Sequence, residues 1–257
     1  MLKKLTVVKI GGNIIDEPVA LAKFLHHFSI GAEPKILVHG GGKLATQMAE
    51  KLGLPTQMID GRRITDEPTL DIVTMVYAGL INKKIVAQLQ GLGCNALGLT
   101  GADAGILLAK KRQKSDIDYG FAGDIEKVNA SQLLNFLRQN LILVIAPLTF
   151  DETGQLLNTN ADTMASAIAI ALASHLEISL IYCFEKKGVL ENPEDDNSVI
   201  EEISKEKYEV LKKEGVVSKG MIPKLDNAFA ALENGVKNVR IIHADNIVTK
   251  TGTLLIL

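Results

Sequence analysis

The sequence predicts an α/β fold in which parallel strands are joined by crossover helices, and three observations predict it. Short apolar runs rich in β-branched residues recur along the 257 residues, and each is followed by a stretch of helical period. Several of these runs lack polar alternation, as strands covered on both faces do.

In chain order, residues 5–10, 35–39, 95–99, 142–146, 177–183, 239–242 and 252–256 read as strands. Residues 17–28, 42–51, 69–90, 130–139, 162–176, 204–213 and 224–234 read as helices, with Gly91 and Gly235 placed to stop two of them. The polar, glycine-punctuated stretch 110–128 reads as a hairpin excursion, and the acidic, turn-rich segment 190–197 as a surface tip. No repeat or low-complexity linker divides the chain.

Composition bounds the function. With 28 Lys plus Arg against 30 Asp plus Glu, no global field favours nucleic acid or an anionic membrane, so an anionic ligand has to be held locally. Cys94 and Cys183 sit in apolar stretches without metal or redox spacing and read as buried thiols of a reducing compartment. The apolar run after the first basic residues is too short and too soon broken by glycine for a signal peptide or a membrane span, so a soluble, cytoplasmic protein is expected. The adjacent His26 and His27 have no carboxylate or cysteine partner at ligand spacing, and no metal ligand set is expected.

Two strands end in glycine. The first runs into Gly11-Gly12, and the second into Gly40-Gly41-Gly42 and a helix. Glycine lets the backbone approach a ligand and aim N–H groups at it, and a helix N-terminus adds its positive end, so both turns can cradle phosphate. Tight strand-to-helix turns also use glycine for purely structural reasons. Lys9 adds weight to the phosphate reading, because a lysine at the end of an apolar strand is costly to bury unless an anion meets it. Neither a G-x-x-x-x-G-K-[ST] loop nor a G-x-G-x-x-G turn follows either strand, so the standard P-loop reading loses ground and a dinucleotide-binding oxidoreductase comes last among the rivals. Downstream, Asn158-Thr159-Asn160-Ala161-Asp162 opens an alanine-rich helix and offers N-caps, and Gly220-Met221-Ile222-Pro223-Lys224 places a proline at a first helical turn with a lysine behind it.

Together VVKIGGN (7–13), ILVHGGG (36–42), GRRIT (61–65), INKKIVAQL (81–89), NTNAD (158–162) and GMIPK (220–224) occur in the order and spacing of N-acetylglutamate kinases, and the chain resembles a short member of that family over nearly its whole length. The resemblance implies an open, mostly parallel sheet with helices on both faces, a three-layer sandwich. An N-terminal lobe, 1–174, would bind the acyl-glutamate and dimerise, and a C-terminal lobe, 175–257, would bind ATP. By position it implies Lys9 and Lys224 on the transferring phosphoryl group and Asp162 orienting both. Backbone N–H groups of Gly11, Gly12, Gly41 and Gly42 would hold phosphate oxygens, with Gly41 and Gly42 also beside the substrate. Arg63 and Asn158 would grip the substrate α-carboxylate, and Glu185, Gly188, Val189, Leu190, Gly220, Met221 and Lys224 would meet the nucleotide. The implied reaction is ATP-dependent phosphorylation of the γ-carboxylate of N-acetyl-L-glutamate in arginine biosynthesis, with Mg2+ bound through ATP phosphates.

That chemistry suits these residues. A γ-carboxylate is already ionised at neutral pH and needs no general base, so the enzyme has to align two anions and neutralise developing charge. Where the family usually carries Asp, residues 184–190 carry Glu185, followed by Lys187, and the Pro147-Leu148-Thr149-Phe150 segment is bulkier than the family's glycine-containing version, which would reshape the acyl pocket. The acyl group is therefore open between acetyl and one such as succinyl. Arginine-inhibited members have a helix before the first strand; here the strand begins almost at Met1, and arginine insensitivity is expected. Residues 69–90 resemble the helix that pairs subunits, which implies a homodimer. The rivals are kinases of the same fold acting on glutamate, aspartate, carbamate or UMP, and a catalytically silent binder on the same scaffold.

Overall fold

The apolar runs form the middle of the molecule. A computed structural model describes residues 3–31, 34–59, 62–113, 116–192, 194–217 and 220–257. Strand β1 (Lys4–Ile10) leads into helices α1 (Gly12–Asp16) and α2 (Pro18–Ser29), then β2 (Lys35–His39) and α3 (Gly42–Lys51). A small hairpin, β3 (Met58–Ile59) and β4 (Arg62–Arg63), precedes α4 (Glu67–Val73), a π-helical segment (Thr74–Ile81) and α5 (Asn82–Gly91). Then come β5 (Ala96–Leu99), β6 (Leu107–Lys111), β7 (Gly123–Val128), α6 (Ala130–Arg138), β8 (Ile142–Ile145), β9 (Leu148–Phe150) and β10 (Leu156–Asn158). The rest is α7 (Ala161–Ala173), β11 (Glu177–Phe184), β12 (Glu202–Ser204), α8 (Lys205–Lys213), α9 (Ile222–Glu233), β13 (Asn238–His243) and β14 (Gly252–Ile256).

Eight strands make one sheet in the order β12-β14-β13-β11-β1-β2-β8-β5, parallel throughout except where β13 meets β14. The expected open, mostly parallel sheet with helices on both faces is present. Side chains alternate across a strand, so Leu5 and Val7 join one apolar core with α7 and α9, while Val8 and Ile10 join another with α2 and α5. By the same alternation Lys9 lies on the face of Leu5 and Val7, toward α7.

Several boundaries depart from the sequence reading. The helix expected over 69–90 is two α-helices joined by a π-helical segment. Gly91 stays inside α5, and Gly93, with φ +78°, provides the left-handed exit; Gly235, with φ +91°, follows α9 as expected. Helix α7 is capped by Asn160, whose Oδ1 accepts the amides of Asp162 (2.9 Å) and Thr163 (3.0 Å), so Asp162 belongs to the first turn and its carboxylate is left for other work. The excursion at 110–128 is the antiparallel β6–β7 hairpin, joined to β9 and β10 in a separate four-stranded sheet. Gly61 of the GRRIT segment lies outside the described residues, as do 114 and 115 of that excursion and 193 of the acidic tip.

Candidate active site

In an open α/β sheet ligands bind beyond the carboxyl ends of the strands where strand order reverses. Here that place is β1, flanked by β2 on one side and β11 on the other. Lys9 and Gly11-Gly12 lie at its carboxyl end and Gly40-Gly41-Gly42 at that of β2.

Lys9 Nζ lies 2.7 Å from Asp162 Oδ1, and Lys224 Nζ lies 2.7 Å from Asp162 Oδ2. One carboxylate thus holds two ammonium groups, one from the first strand and one from α9. Both also sit over the Phe184 ring, at 5.2 Å and 4.7 Å from its centroid. Burial alone would raise the Asp162 carboxyl, but the charges of Lys9 and Lys224 outweigh it and bring it down to about 2. Burial likewise pulls Lys9 below its ordinary value; Asp162 opposes the fall and Lys224 adds to it.

The glycine turns are open to a ligand. Gly41 has φ +149°, and a Cβ there would stand 2.3 Å from Ile81 Cδ1 and 3.1 Å from the Tyr77 ring, so only glycine fits. Among the described residues the amides of Gly12, Gly41 and Gly42 have no backbone acceptor, whereas Gly11 N–H donates to the Cys183 carbonyl at 3.1 Å and Gly40 N–H to Ile10 at 3.2 Å. Gly11 therefore joins β1 to β11, and the other three expected amides are without a backbone partner among the described residues. The turn is buttressed from behind by His39, a buried imidazole that burial lowers to about 4. Asn82 Nδ2 donates to His39 Nε2 (3.3 Å) and to the Val144 carbonyl (2.9 Å), so the neutral ring carries its proton on Nδ1 and donates it to the Gly40 carbonyl at 2.8 Å.

A cleft of about 160 Å3 opens beside this turn, lined by Gly41, Gly42, Arg63, Asn158, Tyr77 and Arg62 among others. Arg63 Nη2 donates to the Gly42 carbonyl (2.7 Å) and to Thr46 Oγ1 (2.8 Å), while its buried Nη1 has no acceptor. Asn158 is oriented by its Nδ2 donating to Thr65 Oγ1 at 3.0 Å. Of the bulky 147–150 segment, Pro147 lines the cleft; Leu148 and Thr149 are fully buried, and the Thr149 and Thr159 hydroxyls lie 2.7 Å apart.

A second, apolar pocket of about 140 Å3 lies in the other half of the sheet and gathers Gly188, Val189, Leu190, Val216, Val217 and Met221, with Lys186 at its edge. Thr253 anchors its floor, accepting the Val189 amide (2.8 Å) and donating to the Ile200 carbonyl (2.7 Å). Of the residues expected at a nucleotide, Gly188, Val189, Leu190 and Met221 meet here, whereas Glu185 and Gly220 stand exposed outside the lining. Lys187 reaches the acidic tip, donating to Asn197 Oδ1 at 3.0 Å.

Sequence reasoning passed over Tyr77, Arg62 and the His39–Asn82 pair. Tyr77 and Asn82 lie inside a long apolar helical pattern where they read as core. Arg62 was masked by Arg63, although two arginines in succession on one strand were a signal.

The amino acid kinase family model matches residues 4–243. The acetylglutamate kinase of Cytophaga hutchinsonii is 56% identical, covering 96% of this chain and 94% of its own, and that of Phocaeicola vulgatus is 51% identical, covering 99% of each. A solved structure from Streptococcus mutans superposes with a TM-score of 0.83 at 29% identity and 98% coverage of both chains. On sequence and fold alike, this chain belongs to the amino acid kinase family, among its acetylglutamate kinases.

Proposed function

We propose that this protein transfers the γ-phosphoryl group of ATP to the γ-carboxylate of N-acetyl-L-glutamate, giving N-acetyl-L-glutamyl 5-phosphate and ADP in arginine biosynthesis. The observation that carries this reading is the Lys9–Asp162–Lys224 bridge, set between a glycine-walled cleft with an arginine and an apolar pocket. A silent binder has no use for two cations held on one buried carboxylate.

The acceptor is ionised at neutral pH, so one of its oxygens attacks the γ-phosphorus while the bond to the β–γ bridging oxygen breaks, and no proton has to move. Lys9, on β1, neutralises charge at the acceptor side, and Lys224, on α9, does so at the departing ADP. Asp162 keeps the two ammonium groups apart and aimed. The amides of Gly12, Gly41 and Gly42 take phosphate oxygens, and Arg63 and Asn158 hold the α-carboxylate. Mg2+ would be carried by the ATP phosphates and would supply further charge neutralisation there, since both Asp162 oxygens are engaged by lysines.

The division of labour follows the sheet: residues 1–174 form the acyl-glutamate lobe and 175–257 the ATP lobe, with the adenine in the pocket of Val189 and Met221. Subunits pair through the helical stretch 67–91, where Met75 is 56% and Leu80 37% exposed. No helix among the described residues is long and apolar enough to cross a membrane, and a cytoplasmic homodimer is the proposed working form.

One observation favours a second reading of the acyl group. Arg62 is half-buried in the cleft wall and its side chain makes no hydrogen bond or ion pair among the described residues; burial and then Arg112 press it below the ordinary arginine value. N-acetylglutamate carries two carboxylates, one for Arg63 and one for the lysines. A third cation suits an acyl group with its own carboxylate, such as succinyl.

Hydroxylamine trapping of the acyl phosphate with N-acetylglutamate, N-succinylglutamate and free glutamate tests both readings. Product with an acylated substrate and none with free glutamate is expected. Product from free glutamate alone overturns the proposed reaction, and a strong preference for acetyl removes the second reading.

A further inference from the structure

Beyond the residues assigned above, the cleft contains a buried phenol. Tyr77 is 5% exposed yet lines the cleft. It is delivered by the π-helical segment, whose Tyr77 and Ile81 both pack where Gly41 lacks a side chain. The Tyr77 hydroxyl is 4.0 Å and Arg63 Nη2 is 3.8 Å from the same point, where a Cβ on Gly42 would be. The two polar ends therefore converge on the wall of the cleft.

Their chemistry fixes what is missing between them. A guanidinium only donates, so Arg63 offers the Tyr77 proton no acceptor, and that proton is left for another group. Burial raises the Tyr77 phenol, with the Arg63 charge opposing, so it stays protonated and able to donate at neutral pH. Arg63 Nη1 is also without an acceptor. An unmatched guanidinium nitrogen is costly to bury, and with the Tyr77 hydroxyl on the same cleft wall it describes a receptor for an anion.

We infer that Tyr77 is a substrate-binding residue, its hydroxyl donating to the same α-carboxylate that Arg63 holds. This rests on the acyl-glutamate reading of the cleft and adds a specificity determinant to it. The arginine supplies charge, and the phenol supplies a neutral donor fixed by ring packing against Gly41, so the pair selects a carboxylate next to the acylated nitrogen over a neutral group there.

Tyr77→Phe keeps the ring and removes only the hydroxyl. Its effect is read with two compounds, N-acetyl-L-glutamate and N-acetyl-4-aminobutyrate, which lacks the α-carboxylate. KM and kcat are measured for the first and a competitive inhibition constant for the second, with calorimetric binding of both. The expected result is a KM for N-acetyl-L-glutamate raised about tenfold with kcat within about twofold, and binding of the des-carboxyl compound unchanged within about twofold. Equal weakening of both compounds, or no change for N-acetyl-L-glutamate, overturns the assignment. A folded wild-type protein that binds neither compound overturns the reading of the cleft itself, and Tyr77 with it.

Discussion

The charge at the centre of the site is a single buried Asp162, and its two lysines make opposite demands on it. With both present it is ionised and structural. In the proposed reaction the transferring phosphoryl group loses a cation when either lysine is removed, so Lys9→Ala and Lys224→Ala should each lower kcat by roughly a hundredfold to a thousandfold, measured by ADP release. Asp162 also sets a pH dependence of stability. Its carboxyl is held at about 2 in the fold, below the ordinary value of 3.8, so the stabilisation is complete above pH 4 and is lost as pH falls through the folded value. The difference in urea unfolding free energy between wild type and Asp162→Asn should therefore shrink by about 2 kcal/mol between pH 5 and pH 2; a difference that does not change with pH refutes the ion-pair account. Lys9 was legible in the residues themselves, a lysine ending an apolar strand before glycines, whereas Asp162 read as an ordinary helix-start residue and came with Lys224 from the family resemblance. Tyr77 was not, since an aromatic residue in an apolar helical pattern carries no sign of a cleft until α3 and the Gly41 turn are packed against it.

At the scale of elements, the strands of the large sheet were legible almost to the residue; Lys35–His39, for one, lies between Pro34 and Gly40 with an apolar centre. The pairs β3–β4 and β9–β10 were not, being only two or three residues long, too short to show a period. The π-helical segment was hidden for another reason: its apolar pattern does not differ from that of an ordinary helix. One contact shows how closely this helical stretch is held to the sheet. A Cβ on Gly98 of β5 would stand 2.1 Å from Asn82 Oδ1 and 2.9 Å from Val86 Cγ2 of α5, and Asn82 cannot retreat without giving up His39 and the Val144 carbonyl. Gly98→Ala should destabilise the protein by about 2 kcal/mol, seen as a lower urea midpoint with an unchanged m value. Because Asn82 holds His39 and His39 holds the Gly40 carbonyl, the same variant should also weaken phosphate binding at the Gly41 turn, although it lies on a strand outside the cleft.

For the whole molecule, the order β12-β14-β13-β11-β1-β2-β8-β5 puts every sheet strand after residue 174 on one side of β1 and every other one on the other side. No periodicity in the sequence could show that β11 would lie beside β1, since the pairing spans most of the chain; the division near 174 came from the family resemblance and function alone. The order has an energetic consequence. The two proposed lobes are joined by a parallel ladder from Lys4↔Glu177 to Ile10↔Cys183, so each keeps its own pocket while the ladder keeps Lys9 and Lys224 in register with Asp162. Binding of the two substrates should then be separable by mutation. Met221 is the place to test it: it lines the apolar pocket, while its link to Lys224 is main chain, the Lys224 amide donating to the Met221 carbonyl at 3.0 Å. Met221→Ala removes apolar contact worth about 1 to 1.5 kcal/mol from that pocket and leaves the backbone of α9 in place. The KM for ATP should rise about five- to tenfold, with kcat and the KM for the acyl-glutamate within about twofold. If both KM values rose together, the pockets would be coupled through the β1–β11 ladder, and substrate binding would have to be treated as one closure of the whole sheet.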